Sequence, residues 1–236
     1  MKVRGRRECQ NCGQEWSYYE TGEITCPACG SIRSVGTDDR SLHTASAVTL
    51  DLAAVRDSID SDSTRALAEE AVEACRPFVR KHGFVDGGDL QPLSDTYLAA
   101  VELQTVAGEL SRRLETTESE TYYFHELLRA DRGHRPPPEA VPESLRALRG
   151  LACAEAVDAY RGDLRRYDDE RTQTDGRLDR VLERLDGHVR RIQALDGYVS
   201  PTEAERLVDA ASALGRYVAG ETAALAVAAD HLDRLR

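Results

Sequence analysis

Along most of the chain, apolar residues recur at every third or fourth position, the period of a helix with one buried face. The pattern is strongest near the C-terminus, where Leu178, Leu182, Leu185, Val189, Ile192 and Val199 follow a heptad seam. Gly197 is placed to end that helix. Ser200-Pro201-Thr202-Glu203 then offers a capping serine, a proline at the first helical position and a glutamate placed to bond back to the cap. Ala211, Leu214, Val218, Leu225, Ala228, Leu232 and Leu235 continue a second seam, interrupted at Glu221. Two such helices joined by a short turn predict an antiparallel hairpin over about 177–236. An ordinary helical bundle accommodates it. So does a dimerising coiled coil, because the small alanines on the second seam admit close approach of another helix; homo-oligomerisation stays open.

Upstream, helices are expected over about 51–59 and 63–82, with Pro77 predicting a kink or early end of the second and Gly83 its stop. A longer helix is predicted from Ser94 toward Ala130, its buried stripe formed by Ala99, Leu103, Val106, Leu110 and Leu114. The run Arg135-Pro136-Pro137-Pro138 reads as a stiff connector, and Pro142 opens a further helix. The beginning of the chain behaves differently. Short alternations such as Glu15-Trp16-Ser17-Tyr18 suit small strands. Residues 37–47 are polar and without period, and read as a linker. The expected architecture is a small unit of short antiparallel strands (1–36), a linker (37–47) and a mainly α-helical bundle or antiparallel coiled-coil region (48–236).

Composition sharpens this division. The 236 residues carry a formal charge of −11, yet residues 1–36 are net +1, leaving −12 on the rest. Such a balance excludes a generally basic nucleic-acid binder. The apolar material is 30 Ala, 25 Leu and 17 Val against four Ile, three Phe, one Met and one Trp, which favours helices with few bulky fillers. There are 29 Arg and only two Lys, Lys2 and Lys81. This acid-rich, lysine-poor composition resembles that of proteins from salt-accumulating haloarchaea. No apolar run approaches the roughly 18–20 residues needed to span a bilayer, and no signal-peptide segment opens the chain. A cytoplasmic protein without a membrane partner is expected.

Four of the six cysteines form one pattern: Cys9-Gln10-Asn11-Cys12-Gly13 and Cys26-Pro27-Ala28-Cys29-Gly30. A Cys-x-x-Cys turn aims successive backbone N–H groups at the sulfurs, and the following glycine supplies the permissive backbone that the turn needs. Two such turns facing each other make a tetrahedral thiolate site, the preferred geometry of Zn(II). Disulfides are disfavoured by the expected compartment and by the two cysteines left over, Cys75 and Cys153, which read as small buried apolar groups on helices.

On these residues, positions 4–35 resemble a zinc ribbon of the transcription-factor-IIB type. The resemblance implies one zinc per chain held by Cys9, Cys12, Cys26 and Cys29, with strands near 6–8, 15–19, 23–25 and 31–35. The whole chain is similar to haloarchaeal zinc-ribbon proteins. A rival resemblance is to the rubredoxin-like iron site of rubrerythrin-type proteins, which implies an electron-transfer iron at the same cysteines. Those proteins also hold two irons through Glu-x-x-His pairs, and none of the six histidines here has Glu three positions before it.

No catalytic constellation stands out. The acidic clusters read as solvated faces, and Asp86-Gly87-Gly88-Asp89 lacks the lysine and the strand-helix context of a phosphate loop. A non-enzymatic interaction protein is expected, linked to transcription or RNA handling. Trp16, Tyr18 and Tyr19 are contact candidates, with Trp16 and Tyr18 on one strand face and Tyr19 on the other. Arg6 and Arg7, with Lys2 and Arg4, form a basic arm able to meet phosphate. A protein partner is expected, and nucleic acid through the ribbon is the alternative, since phosphate contacts weaken steeply with salt.

Overall fold

A computed structural model describes residues 1–170 and 175–235. The N-terminal unit is built on a central strand β2 (Arg6–Cys9), flanked antiparallel by β3 (Glu15–Ser17) and β4 (Ser34–Gly36), with Arg7 opposite both Trp16 and Gly36. Strand β1 (Lys2–Arg4) pairs instead with β5 (Arg40–Leu42). The strand expected at 23–25 is absent, and the one expected at 15–19 ends at Ser17. There the Ser17 hydroxyl accepts the N–H of Glu20 at 3.4 Å and caps a single helical turn α1 (Tyr18–Thr21), closed by Gly22 at φ 67°. Tyr18 and Tyr19 therefore do not occupy alternating strand positions.

Residues 37–47 carry structure that their lack of period does not announce. Besides holding β5, this stretch places Asp38 so that its carboxylate accepts the N–H groups of Gly5 and Arg6, both at 3.0 Å. Thr44 then donates to the buried carboxylate of Asp163 at 2.6 Å, while the N–H of Phe84 donates to the same oxygen at 2.7 Å. Arg166 also reaches Asp163, at 2.8 Å. Satisfying a buried carboxylate in this way fixes the N-terminal unit against the helices.

In the helical region α2 (Ala53–Asp57) is followed by α3 (Thr64–Lys81), which runs through Pro77 rather than ending there. Nor does Gly83 stop it by a left-handed turn, because the chain already leaves the helix at His82 in an extended conformation. Gly83 is needed for another reason: a Cβ there would lie 2.1 Å from the carbonyl oxygen of Thr44. A two-residue hairpin, β6 (Val85–Asp86) and β7 (Asp89–Leu90), leads to α4 (Asp95–Leu110) and α5 (Glu118–Leu127).

These last two replace the single helix expected over 94–130. Thr117 accepts the N–H of Glu120 at 3.3 Å and the Glu120 carboxylate accepts the N–H of Thr117 at 2.8 Å, a reciprocal cap that starts a new helix. Arg113 and Ser144 both bond Glu120 at 2.6 Å, locking the break in place. Leu114, expected on the buried stripe, is 96% exposed in the loop.

Pro142 precedes a short 3-10 turn (Glu143–Leu145), from which α6 (Arg146–Asp169) begins. Helices α7 (Gly176–Ala194), α8 (Pro201–Val218) and α9 (Ala224–Asp233) complete the nine helices among the described residues. Leu178, Leu182, Leu185, Val189 and Ile192 are buried as their seam predicts, and Ser200 caps α8. The second seam is buried too, apart from the half-buried Leu225, but its helix breaks at Gly220 (φ 114°), and α9 turns back along α8 with His231 beside Asp209. The expected hairpin is thus a three-helix arrangement.

Two apolar clusters form the core. One joins α2 to α5, the other α6 to α9, and α3 and α4 contribute to both.

Two stability effects follow. His82 stacks on Tyr97 with ring centroids 4.5 Å apart and packs edge-on to Phe84. Burial pushes its pKa from 6.5 down to about 4, only partly opposed by the charge of Asp163. The unfolded chain takes up this proton near pH 6.5 and the folded chain does not until about pH 4. His82 should therefore cost stability as pH falls through that window, by roughly 2 to 3 kcal/mol. Melting curves of the chain and of His82→Phe at pH 7 and pH 4.5 should show a smaller acid loss in the variant; equal losses would refute the assignment. The second effect is electrostatic. With −12 carried by residues 37–236, self-repulsion should weaken the fold in dilute buffer, whereas the screening length is about 3 Å at 1 M salt. The melting temperature should rise between low and molar KCl, and an unchanged value would contradict this.

Candidate metal centre

Each cysteine pair sits on the same backbone device. The N–H of Gly13 donates to the carbonyl of Cys9 and that of Gly30 to the carbonyl of Cys26, both at 2.9 Å. Cys9 N–H in turn donates to Gln14 O and Cys26 N–H to Ser31 O, again at 2.9 Å. Gly13 (φ 74°) and Gly30 (φ 69°) are left-handed, a conformation that a side chain at these positions would oppose. Strand β2 delivers the first knuckle, while Ser34 on β4 ties the second by donating from its hydroxyl to Ile24 O at 2.6 Å.

The two turns face each other. Sγ of Cys9 lies 3.6 Å from that of Cys29, Sγ of Cys12 lies 3.6 Å from that of Cys26, and all four fall within 4.8 Å of one another. Disulfide bonding needs about 2.05 Å, and all the cysteines are free. Four sulfurs tetrahedrally placed around an ion at about 2.3 Å would be roughly 3.8 Å apart, so the donor set fits a tetrahedral thiolate site. Cys9 and Cys26 are buried and Cys12 and Cys29 exposed, so the centre lies at the surface with one sulfur of each pair facing inward.

The sulfurs share charge unevenly. Burial tends to raise the pKa of Cys9, but the N–H groups of Asn11 and Cys12 and the thiols of Cys29 and Cys12 outweigh it and pull it down to about 6. For Cys12 the N–H of Gln14 favours the thiolate, yet Cys29, burial, Cys26 and Cys9 together push it up to about 12. Cys29 is lowered, first by the N–H of Ser31 and then by Cys12. A cluster that already favours thiolate at some sulfurs binds a divalent cation with release of the remaining protons.

A family model, the family of unknown function DUF7117, matches residues 1–232. The chain belongs to that family. Its match spans the cysteine knuckles and the helices together, so the DUF7117 pattern describes one composite protein rather than a free-standing metal unit. No curated protein and no solved structure matches the chain. No helix among the described residues is long and apolar enough to cross a membrane.

The remaining predicted contact residues lie around this centre in different settings. Arg6 is exposed, whereas Arg7 is spent internally, donating to the Ser34 hydroxyl at 2.9 and 3.1 Å. The Trp16 indole N–H donates to Glu23 O at 3.0 Å. Tyr19 rests on His43 with ring centroids 4.7 Å apart, and a Cβ at Gly5 would collide with its ring at 2.1 Å while one at Gly87 would crowd it at 3.0 Å. Tyr18 meets His43 edge-on. Both tyrosines thus join the knuckle unit to the segment that follows β5.

Cys75 and Cys153 are buried as expected, and burial pushes both thiols up to about 12. Cys153, however, belongs to a cluster that periodicity did not reveal. Glu102 on α4 and Arg149 on α6 are fully buried, and Arg149 donates to both oxygens of Glu102 at 3.0 and 2.8 Å, to Tyr123 Oη at 3.0 Å and to Pro136 O at 3.1 Å. Its other nitrogens reach Glu205 on α8 at 3.0 and 2.7 Å. Arg135 clamps Glu205 from the far side at 2.8 and 2.9 Å and donates to the sulfur of Cys153 at 3.1 Å. The sequence does contain a trace of it, since Glu102 is the lone acid within the apolar run Leu98-Ala99-Ala100-Val101-Glu102-Leu103.

Proposed function

We propose that this chain is a non-catalytic interaction protein whose N-terminal unit is a zinc ribbon, one zinc being held by Cys9, Cys12, Cys26 and Cys29. The observation that carries this reading is the pairing of two equivalent knuckles with their four sulfurs within 4.8 Å, a closed set of protein ligands. A four-sulfur shell leaves no open coordination position for substrate or activated water, so the metal's work is structural.

Exposed apolar residues beside the metal support a protein partner. Ile24 and Ile32 flank the second knuckle in sequence and are 52% and 77% exposed, and Val35 on β4 is exposed as well. Only four isoleucines occur in the chain, and two of them are presented to solvent here. Apolar contact does not depend on ionic screening, whereas Arg6 and the neighbouring basic residues would lose most phosphate affinity at high salt. A link to transcription or RNA handling is then made through a protein of that machinery rather than through its nucleic acid.

The test uses the full chain as bait in extracts of its native cells at molar KCl. One specific partner should be retained, and Ile24→Ser with Ile32→Ser should release it while Arg6→Gln does not. Capture of DNA or RNA that is lost in Arg6→Gln and kept in the isoleucine variants would replace the protein reading with the nucleic-acid one.

A further inference from the structure

A cavity of about 320 Å³ opens between α6, α8 and the segment that follows β7, far in sequence from the four knuckle cysteines. Its size is at the lower end of the range for small-molecule pockets. Leu90, Pro92, Leu93 and Ala219 supply apolar walls. The polar groups that line it are Tyr160, Ser212, Gln91 and Arg216, every one of them able to donate a hydrogen bond. No acidic residue lines it, in a chain with 42 Asp plus Glu.

Tyr160 is the decisive group. Its ring is 99% buried, since only 1% of the residue is exposed, and it packs edge-on against Phe84 at 4.8 Å. Its hydroxyl makes no hydrogen bond to another described residue and is the part of the side chain that borders the cavity. The hydroxyl lies over Gly215, where a Cβ would stand 2.0 Å from it, so the glycine is what lets the phenol reach the cavity. Burial raises the Tyr160 pKa to about 12, which keeps the group a donor at neutral pH. At the rim, Arg216 pairs with Glu221 at 3.3 Å, its one acidic partner among the described residues, and both side chains are more than half exposed. Such a surface pair contributes little and exchanges readily for another carboxylate.

We propose that this cavity binds a small monocarboxylate with an apolar, ring-sized body, the body lying against Leu93 and Pro92 and the carboxylate taken by Arg216 and the Tyr160 hydroxyl. Of the residues that line the cavity Arg216 alone is charged, which selects an anion, and apolar walls exclude a compact hydrated ion such as phosphate. The metal site takes no part in this.

The probe is 4-fluorophenylacetate, followed by its fluorine NMR line width on titration into the metal-loaded full chain. Saturable binding is expected. The neutral isostere 4-fluorophenylacetamide, and the acid with Arg216→Gln, should each bind about tenfold more weakly, the loss of one charge-assisted contact. Glu221→Gln should tighten binding by freeing Arg216. Ser212→Leu, which fills the cavity from a half-buried helix position, should abolish it with helicity unchanged. Absence of saturation, equal affinity for acid and amide, or binding that survives Ser212→Leu would each overturn the proposal.

Discussion

Serine in place of Cys26 should abolish metal binding and unfold residues 1–36 while leaving the helices standing. The reason lies in what the unit has to bury. Among its first 36 residues the only buried side chains are those of Cys9 and Cys26. There is no apolar core to hold three short strands together, and the proposed metal would take that role. Structural metal sites of this kind supply on the order of 10 kcal/mol of folding free energy at neutral pH. The pairing of β1 with β5 and the contact of Tyr19 with His43 are too few to replace it. Amide exchange should show protection lost across the cysteine strands, with the circular dichroism of the helices nearly unchanged. Retained protection in β2 of the variant would show that the strands fold without the ion.

The second large effect is expected at Arg149, with Arg149→Met lowering stability by about 3 to 5 kcal/mol. The substitution removes a cation that is 1% exposed and leaves Glu102, which is wholly buried, with Tyr123 and only the longer 3.5 Å contact to Arg135. For a chain of this length a loss of that size corresponds to a fall in melting temperature of roughly 10 °C. The double change Glu102→Leu with Arg149→Met should recover most of the loss, because Glu205 and Arg135 remain as a balanced pair. If the single and double variants melt together, desolvation of the orphaned carboxylate is not the cause.

The contrast between these two sites shows what the amino-acid sequence makes legible. The cysteine knuckles are local: each is set by five consecutive residues, so spacing alone indicates which sulfurs meet. Helix seams and the Ser200 cap are local in the same sense. The break between α4 and α5 is not. Thr117 and Glu120 form a cap that competes with a continuous helix, and it prevails because Arg113 and Ser144 converge on Glu120, Ser144 from 24 residues away. Likewise the stretch 37–47 has no period because its order comes from Asp163, bonded to Thr44 across 119 positions of chain. The charged cluster at Glu102 unites residues from α4, α5, α6 and α8 with the proline segment, a convergence that no single periodic pattern encodes.

The proposed zinc ribbon requires that four cysteines of one chain hold one structural zinc. The most direct test is elemental analysis, combined with native mass spectrometry, of the full chain purified from its native cells. One zinc per chain is predicted, colourless and absent from the Cys26→Ser variant. Iron at the same stoichiometry, with the red colour of an oxidised iron tetrathiolate, would contradict it, as would a chain that is fully folded over residues 1–36 without any metal.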